Sequence, residues 1–210
     1  IGNPGPDWNG DARGGDNLFS DSVVALDADT GVLKWYYQFS PHDEFDYDAV
    51  QVPVLADIQM PGTTAPRKVM LWGNRNGLFY VLDRTSGKFL LGKPFVKVTW
   101  LKGFDENGKP TKVPEAASNR EGTLIYPGNQ GGTNWYNPAY SPSTGLFYIP
   151  AWEDYSSLFV KQDAEYVKGQ QFGGGGPRNV TPPVVAGNFN YRKDGEQYGV
   201  VRAIDPKTGE

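Results

Sequence analysis

One short stretch, Pro41-His42-Asp43-Glu44-Phe45-Asp46-Tyr47-Asp48, gathers four carboxylates and the sole histidine of the chain. If residues 46–48 are extended, side-chain direction alternates, so Asp46 and Asp48 share one face while Tyr47 points away. Two carboxylates on one face repel unless one binds a proton or a cation sits between them. A hard metal ion, which takes oxygen ligands, resolves that repulsion; the plainer alternative for Asp48 is a solvated loop carboxylate. A carboxylate within reach of a hydroxyl can also serve as a general base. With no cysteine and one histidine, thiolate catalysis, disulfides, cysteine-ligated metals and two-histidine metal sites are excluded from this sequence. Chemistry here rests on carboxylates, amides, arginine or a borrowed cofactor. An imidazole invites a general-base reading, but the Pro-His-Asp opening of a loop asks only turn chemistry of His42. Asp43 and Glu44 are expected to face water. Taken alone, Asn3 between Gly2 and Pro4 is a turn residue, and Arg75 in Asn74-Arg75-Asn76-Gly77 is a surface arginine on a hairpin.

The elements that must position these groups are strands. Few stretches reach a dozen residues without glycine or proline, and the apolar runs are short and rich in β-branched and aromatic residues, as at residues 22–26, 33–39, 68–72, 78–82 and 146–149. Between them lie Asp29-Thr30-Gly31, Thr85-Ser86-Gly87, Ser143-Thr144-Gly145 and Lys207-Thr208-Gly209, where glycine supplies the positive φ of a tight turn. These glycines recur at intervals of 56, 58 and 64 residues, a drifting period that suits a four-stranded propeller blade.

The strongest copy, Ala25 to Trp35, reads A-x-D-x-x-x-G-x-x-x-W; the frame returns at Val81–Gly87 and Ala203–Gly209, while the copy at Gly145 lacks the aspartate. In this pattern the aspartate bonds backbone donors of the turn, and the tryptophan reaches an adjacent blade. Two segments break the rhythm. Residues 103–122, with Asp105-Glu106-Asn107-Gly108 as a turn, and residues 153–197, with Gly173-Gly174-Gly175-Gly176-Pro177 and Pro182-Pro183, read as long connections.

Composition narrows the classes further. Twenty-seven glycines and 17 prolines mark a turn-rich chain, and 6 Trp, 12 Tyr and 11 Phe supply the bulk for a packed core. The net charge of −4, with no long basic run, offers no surface for nucleic acid. No window approaches an uninterrupted apolar membrane span. The expected fold is all-β: a β-propeller of four-stranded antiparallel blades, about three and a half blades over residues 1–210, with no separate second domain.

Gly2-Asn3-Pro4, Gly15-Asp16-Asn17, residues 41–48, Asn74-Arg75-Asn76-Gly77 and Gly132-Thr133-Asn134-Trp135 stand in the order found in quinoprotein alcohol dehydrogenases, and the sequence resembles that family along essentially its whole length. The resemblance implies an internal fragment of an eight-bladed ring, inactive in isolation, that binds pyrroloquinoline quinone (PQQ) and a metal ion. It implies Asp46 as catalytic base, Arg75, Asn134 and Trp135 at the cofactor, and Asn3, Asp46 and Asp48 as metal ligands. Trp135 would line the substrate cavity, a core aromatic being the alternative. An aspartate at position 48 resembles the lanthanide-dependent members more than the Ca²⁺-dependent ones.

The implied activity is oxidation of a small alcohol to an aldehyde or ketone, with a cytochrome c or similar electron acceptor, a periplasmic location and a homodimer among the assemblies allowed. Asp16 and Asn17 belong to a motif of structural role. The alternative is a noncatalytic propeller scaffold, which has no reason to keep Asn3, Asp46, Arg75 and Asn134 in register.

Overall fold

The computed structural model describes residues 1–179 and 196–210, and among these there are two single-turn 3₁₀ helices, Gly10–Ala12 and Pro114–Ala116, and no α-helix. Strands β1 (Ser22–Leu26) and β2 (Leu33–Gln38) form an antiparallel hairpin. Next come β3 (Val54–Ile58), β4 (Arg67–Gly73), β5 (Leu78–Asp83) and β6 (Phe89–Pro94), a four-stranded antiparallel sheet in chain order. A second hairpin, β7 (Leu101–Phe104) with β8 (Pro110–Lys112), turns at the expected Asp105 to Gly108, where Asp105 Oδ1 accepts the N–H groups of Asn107 and Lys109.

The rest of the chain interleaves two three-stranded sheets. Strands β9 (Thr123–Ile125), β10 (Ala139–Ser141), β11 (Leu146–Glu153), β12 (Ser157–Lys161), β13 (Gly175–Asn179) and β14 (Tyr198–Ile204) pair as β10-β11-β14 and β9-β12-β13, all antiparallel. The expected connection over residues 153–197 thus carries two strands; Pro182-Pro183 lies outside the described residues.

The central strands β4 and β5 are buried on both faces, which is why they read as continuous apolar runs. Met70, Trp72, Leu78, Tyr80 and Leu82 enter one core with Tyr37 and Phe39. From the opposite face, Val69, Leu71, Phe79 and Val81 enter a second core with Phe147, Ile149 and Ala151. The four-stranded sheet is therefore packed between neighbours, with the β1-β2 hairpin on one side and the β10-β11-β14 sheet on the other. Phe39 meets Trp72 with centroids 4.9 Å apart, and Phe79 meets Phe147 at 5.0 Å.

The repeat turns hold this stack. Gly31, Gly87 and Gly209 all have φ between 71° and 78°, and each donates its N–H to the carbonyl of the aspartate four residues earlier. Trp35 lies against the Gly87 turn, where a Cβ would stand 2.6 Å from the indole. Leu91, in the same frame position one repeat later, lies against the Gly209 turn, 3.0 Å from a Cβ there.

The Gly145 turn departs from this order. It joins β10 to β11, the first two strands of their sheet, whereas the Gly31 and Gly87 turns each precede the last strand of theirs. Its missing aspartate is replaced by Ser141, whose carbonyl accepts the Gly145 N–H at 2.8 Å. Among the described residues the stacked sheets carry two, four and three strands, and the β7-β8 hairpin and the β9-β12-β13 sheet lie outside that stack.

Candidate active site

The acidic stretch at residues 41–48 is held by its own buried groups. Asp43 accepts the N–H of Phe45 on Oδ1 (3.2 Å) and of Tyr47 on Oδ2 (2.9 Å). Phe45 packs on Phe159, and the Tyr47 hydroxyl donates to the Pro127 carbonyl at 2.5 Å. Residues 46–48 form no regular strand, and Asp46 sits in the left-handed region at φ 62°. The expected alternation nevertheless holds: Tyr47 is buried, while Asp46 and Asp48 both turn to Arg75.

Arg75 comes from the β4-β5 turn. Asn74 Oδ1 accepts the Asn76 N–H, Asn76 Oδ1 accepts the Leu78 N–H, and Asn76 Nδ2 reaches the Phe39 carbonyl at 3.0 Å. Gly77, at φ 88°, closes a turn that is buried, so the surface-hairpin reading of Arg75 is corrected: the residue is only 5% exposed. Its Nη1 donates to Asp48 Oδ2 at 2.7 Å and its Nη2 to Asp46 Oδ2 at 3.0 Å, and Nη2 also donates to the carbonyl of Asn129. The guanidinium is thus the cation that sits between the two carboxylates.

Asn3 joins this group through its backbone. Its N–H donates to Asp48 Oδ1 at 2.7 Å. Asn134 lies on the loop that closes over Arg75, where Gly132 N–H donates to the Arg75 carbonyl at 2.9 Å. The Asn134 side chain serves that loop, donating to the Gln130 carbonyl and accepting the Trp135 N–H. Trp135 is 68% exposed and stacks on Tyr136, so it is not a core aromatic.

Burial governs the electrostatics. It pushes Asp46 up to about 7, with Arg75 opposing the rise and the charges of Asp48 and Asp43 adding to it. Asp21 is fully buried, neither carboxylate oxygen has a hydrogen-bond partner, and burial with the nearby charges of Asp43 and Asp48 pushes it up to about 9. Asp43 and Glu44 do not face water as expected; they are buried beside Arg13 and Lys112, whose own pKa values burial lowers against the pull of these acids. The reason is local: the Asp43 carboxylate is the backbone partner that shapes the loop.

His42 keeps the turn role assigned to it. Its Nδ1 lies 2.8 Å from the Gly15 carbonyl, and its φ is 49°. Asp16 and Asn17 are likewise structural, Asp16 pairing with Lys109 and Asn17 Oδ1 accepting from Arg13. Sequence reasoning missed Asn129, whose carbonyl meets Arg75, and Tyr155 and Ser157, which bond Asn129, all of them contacts made only in three dimensions. No periodicity or motif signals them.

The donor set can be tested against the groups that the resemblance implies. Asp46, Asp48 and the side-chain oxygen of Asn3 are hard oxygen donors of the kind a metal ion takes. Among the described residues no cluster of three histidines, cysteines or carboxylates is close enough to hold an ion by itself, so an ion at these three would need further ligands. Arg75, buried with its Nε unpartnered, fits the oxygens of a quinone or carboxylate ligand.

The chain belongs to the PQQ-type glucose/ethanol/alcohol dehydrogenase β-propeller family, whose sequence profile matches residues 1–112. A quinohemoprotein alcohol dehydrogenase of Comamonas testosteroni is 41% identical over 195 residues, covering 92% of this chain and 27% of the relative. The crystal structure of quinohemoprotein alcohol dehydrogenase from Comamonas testosteroni superposes with a TM-score of 0.82 at 36% identity, over 98% of this chain and 30% of that one. A europium-containing methanol dehydrogenase superposes with a TM-score of 0.79 at 31% identity, over 100% of this chain and 35% of that one. The chain therefore spans about a third of these proteins, and its fold is an all-β part of a propeller. No helix among the described residues is long and apolar enough to cross a membrane.

Proposed function

We propose that this chain carries the base and the cofactor arginine of a PQQ- and metal-dependent alcohol dehydrogenase, oxidising an alcohol to an aldehyde or ketone. The observation that carries this reading is the buried arginine clamped between two half-buried carboxylates. A noncatalytic scaffold gives no reason to collect such charges in a desolvated site.

When bound, PQQ supplies the carbonyl carbon that takes hydride from the alcohol, and the metal ion supplies the Lewis acid that polarises that carbonyl. Asp46, Asp48 and the Asn3 side-chain oxygen would hold the ion, and Arg75 with the Asn134-Trp135 loop would line the cofactor. Asp46 takes the hydroxyl proton on its carboxylate, and its position near neutrality suits both acceptance and release. Arg75 places a fixed positive charge where negative charge develops, in a site with little water to screen it. Trp135, exposed on the loop that returns to Arg75, would wall the alcohol pocket.

Asp48 adds a second carboxylate, and added anionic ligands stabilise a trivalent ion more than a divalent one, so the proposed metal is a lanthanide rather than Ca²⁺. The europium-containing relative supports this choice. The proposed electron acceptor is a cytochrome c or comparable haem protein, and the proposed location is the periplasm. Dye-linked alcohol oxidation by the PQQ-loaded enzyme tests the reading. Activity with La³⁺ exceeding that with Ca²⁺ is expected; equal or better activity with Ca²⁺ overturns the metal choice, and no dye reduction with either overturns the function.

A further inference from the structure

We infer that Tyr155 is a positioning residue for Arg75, acting through Asn129; its consequence for cofactor binding rests on the function proposed above. Arg75 is fixed by three oxygen acceptors, the carboxylates of Asp46 and Asp48 and the main-chain carbonyl of Asn129. Both carboxylates have other work in the proposed chemistry, holding a cation or receiving a proton. The Asn129 carbonyl is the neutral acceptor, and it keeps its strength while those charges change.

Tyr155 holds the Gly128-Asn129 segment that carries this carbonyl at two points. Its hydroxyl donates to Asn129 Oδ1 at 2.8 Å, and its own carbonyl accepts the Gly128 N–H at 3.0 Å. Ser157 completes the grip, its hydroxyl accepting the Asn129 N–H at 3.3 Å and lying 3.2 Å from Asn129 Oδ1. The fit is close. A Cβ at Gly128 would stand 2.6 Å from Ser157 Oγ and 2.7 Å from Tyr155 Cε1.

The same loop returns to Arg75 at its far end, where Gly131 N–H bonds the Gly128 carbonyl and Gly132 N–H bonds the Arg75 carbonyl. Residues 128–132 therefore connect the Tyr155 hydroxyl to both the main chain and the guanidinium of Arg75. The Tyr155 ring lies edge-on to Trp152, with centroids 5.8 Å apart. That contact needs no hydroxyl, so Tyr155→Phe separates positioning from packing.

Arginine-selective ¹⁵N labelling of the full chain reads the clamp directly, because a guanidinium held by three acceptors rotates slowly and gives resolved Nη signals. Resolved Arg75 signals are expected in the wild type and averaged ones in Tyr155→Phe, with the thermal midpoint unchanged. In PQQ titrations monitored by absorbance, Tyr155→Phe should raise the dissociation constant about tenfold, and should add little in an Arg75→Lys background. Arg75 signals that stay resolved in Tyr155→Phe overturn the inference, as does an effect on PQQ affinity that persists undiminished with Arg75→Lys. A wild type that binds no PQQ overturns the proposed function instead, and the NMR comparison still decides the clamp.

Discussion

The repeat turns and the acidic site are built from the same few residue types to opposite ends. At the turns, each aspartate bonds groups within a few residues of itself. Asp27 Oδ1 accepts the Thr30 N–H and hydroxyl, and Asp83 Oδ1 does the same with Thr85. Although burial alone would raise it, these bonds and Arg67 hold Asp83 down to about 2. At the site, aspartates meet partners tens of residues away: Arg75 lies 29 positions from Asp46, and Asn3 lies 45 from Asp48. Burial there pushes Asp46 and Asp21 up rather than down. Left-handed backbone separates the two regions as well, falling on glycine at the turns but on Asn17, Asp21, His42 and Asp46 near the site. A short turn that satisfies itself adds stability, whereas buried charges and strained non-glycine residues cost it, as functional sites tend to do.

This contrast can be broken or sharpened by substitution. The largest effect is expected from Asp46→Asn, which keeps the shape and removes the base. Alcohol oxidation by the holoenzyme should fall about 10³-fold in kcat while the fold is retained, since a positioned general base contributes roughly 10²–10⁴-fold. A kcat within threefold of wild type would remove Asp46 from the chemistry.

Gly87→Val attacks the turn region. The φ of 73° and the Trp35 indole 2.6 Å from a Cβ leave no room for a β-branched side chain. A stability loss of about 4 kcal/mol is expected in denaturant titration, from overpacking added to left-handed strain. Gly145 provides the internal control, since a Cβ there meets nothing within 4 Å and only the backbone cost applies.

Asp21→Asn should reveal the opposite sign of the buried site. In the unfolded chain Asp21 ionises near 3.8, and in the folded chain only near 9. Between these values the folded state holds the extra proton, so this residue makes wild-type stability fall as pH rises. The variant should therefore gain on wild type between pH 5 and pH 8, by up to about 4 kcal/mol, read as the difference in thermal midpoints. A gain independent of pH would show that the shift is absent.

The smallest effect is expected from Asp83→Ala. This residue is partly exposed, so its bonds are screened and the loss at neutral pH should stay below about 1 kcal/mol. Because its folded pKa is depressed, the loss should fade as pH falls from about 4 through about 2.

How much of this was legible in the sequence depended on the reach of each interaction. Strand β1 matches the expected residues, and β4 and β5 extend theirs by one residue at one or both ends, because alternation and flanking turn residues are local signals. The shared face of Asp46 and Asp48 is matched in outcome but not in cause: alternation assumes an extended segment, whereas Asp46 is left-handed and the two carboxylates converge on Arg75. The Gly145 turn misled because Ser143-Thr144-Gly145 has the right local chemistry, while its place in the sheet depends on β14, more than 50 residues later. Asp43 and Glu44 read as solvated acids because their cationic partners, Arg13 and Lys112, come from distant segments.

By itself the sequence determined the strand character, the aspartate-glycine turns that stack the sheets, and the carboxylates, amide and arginine available for chemistry. All of these follow from spacing over a few residues. The tertiary structure alone decided that Arg75 would be buried between Asp46 and Asp48, that the Asp21 carboxylate would be buried without a hydrogen-bond partner, and that the Asn129 carbonyl would meet the arginine. Those outcomes depend on which segments the packed sheets bring together, and burial then sets the strength and sign of every charge they carry.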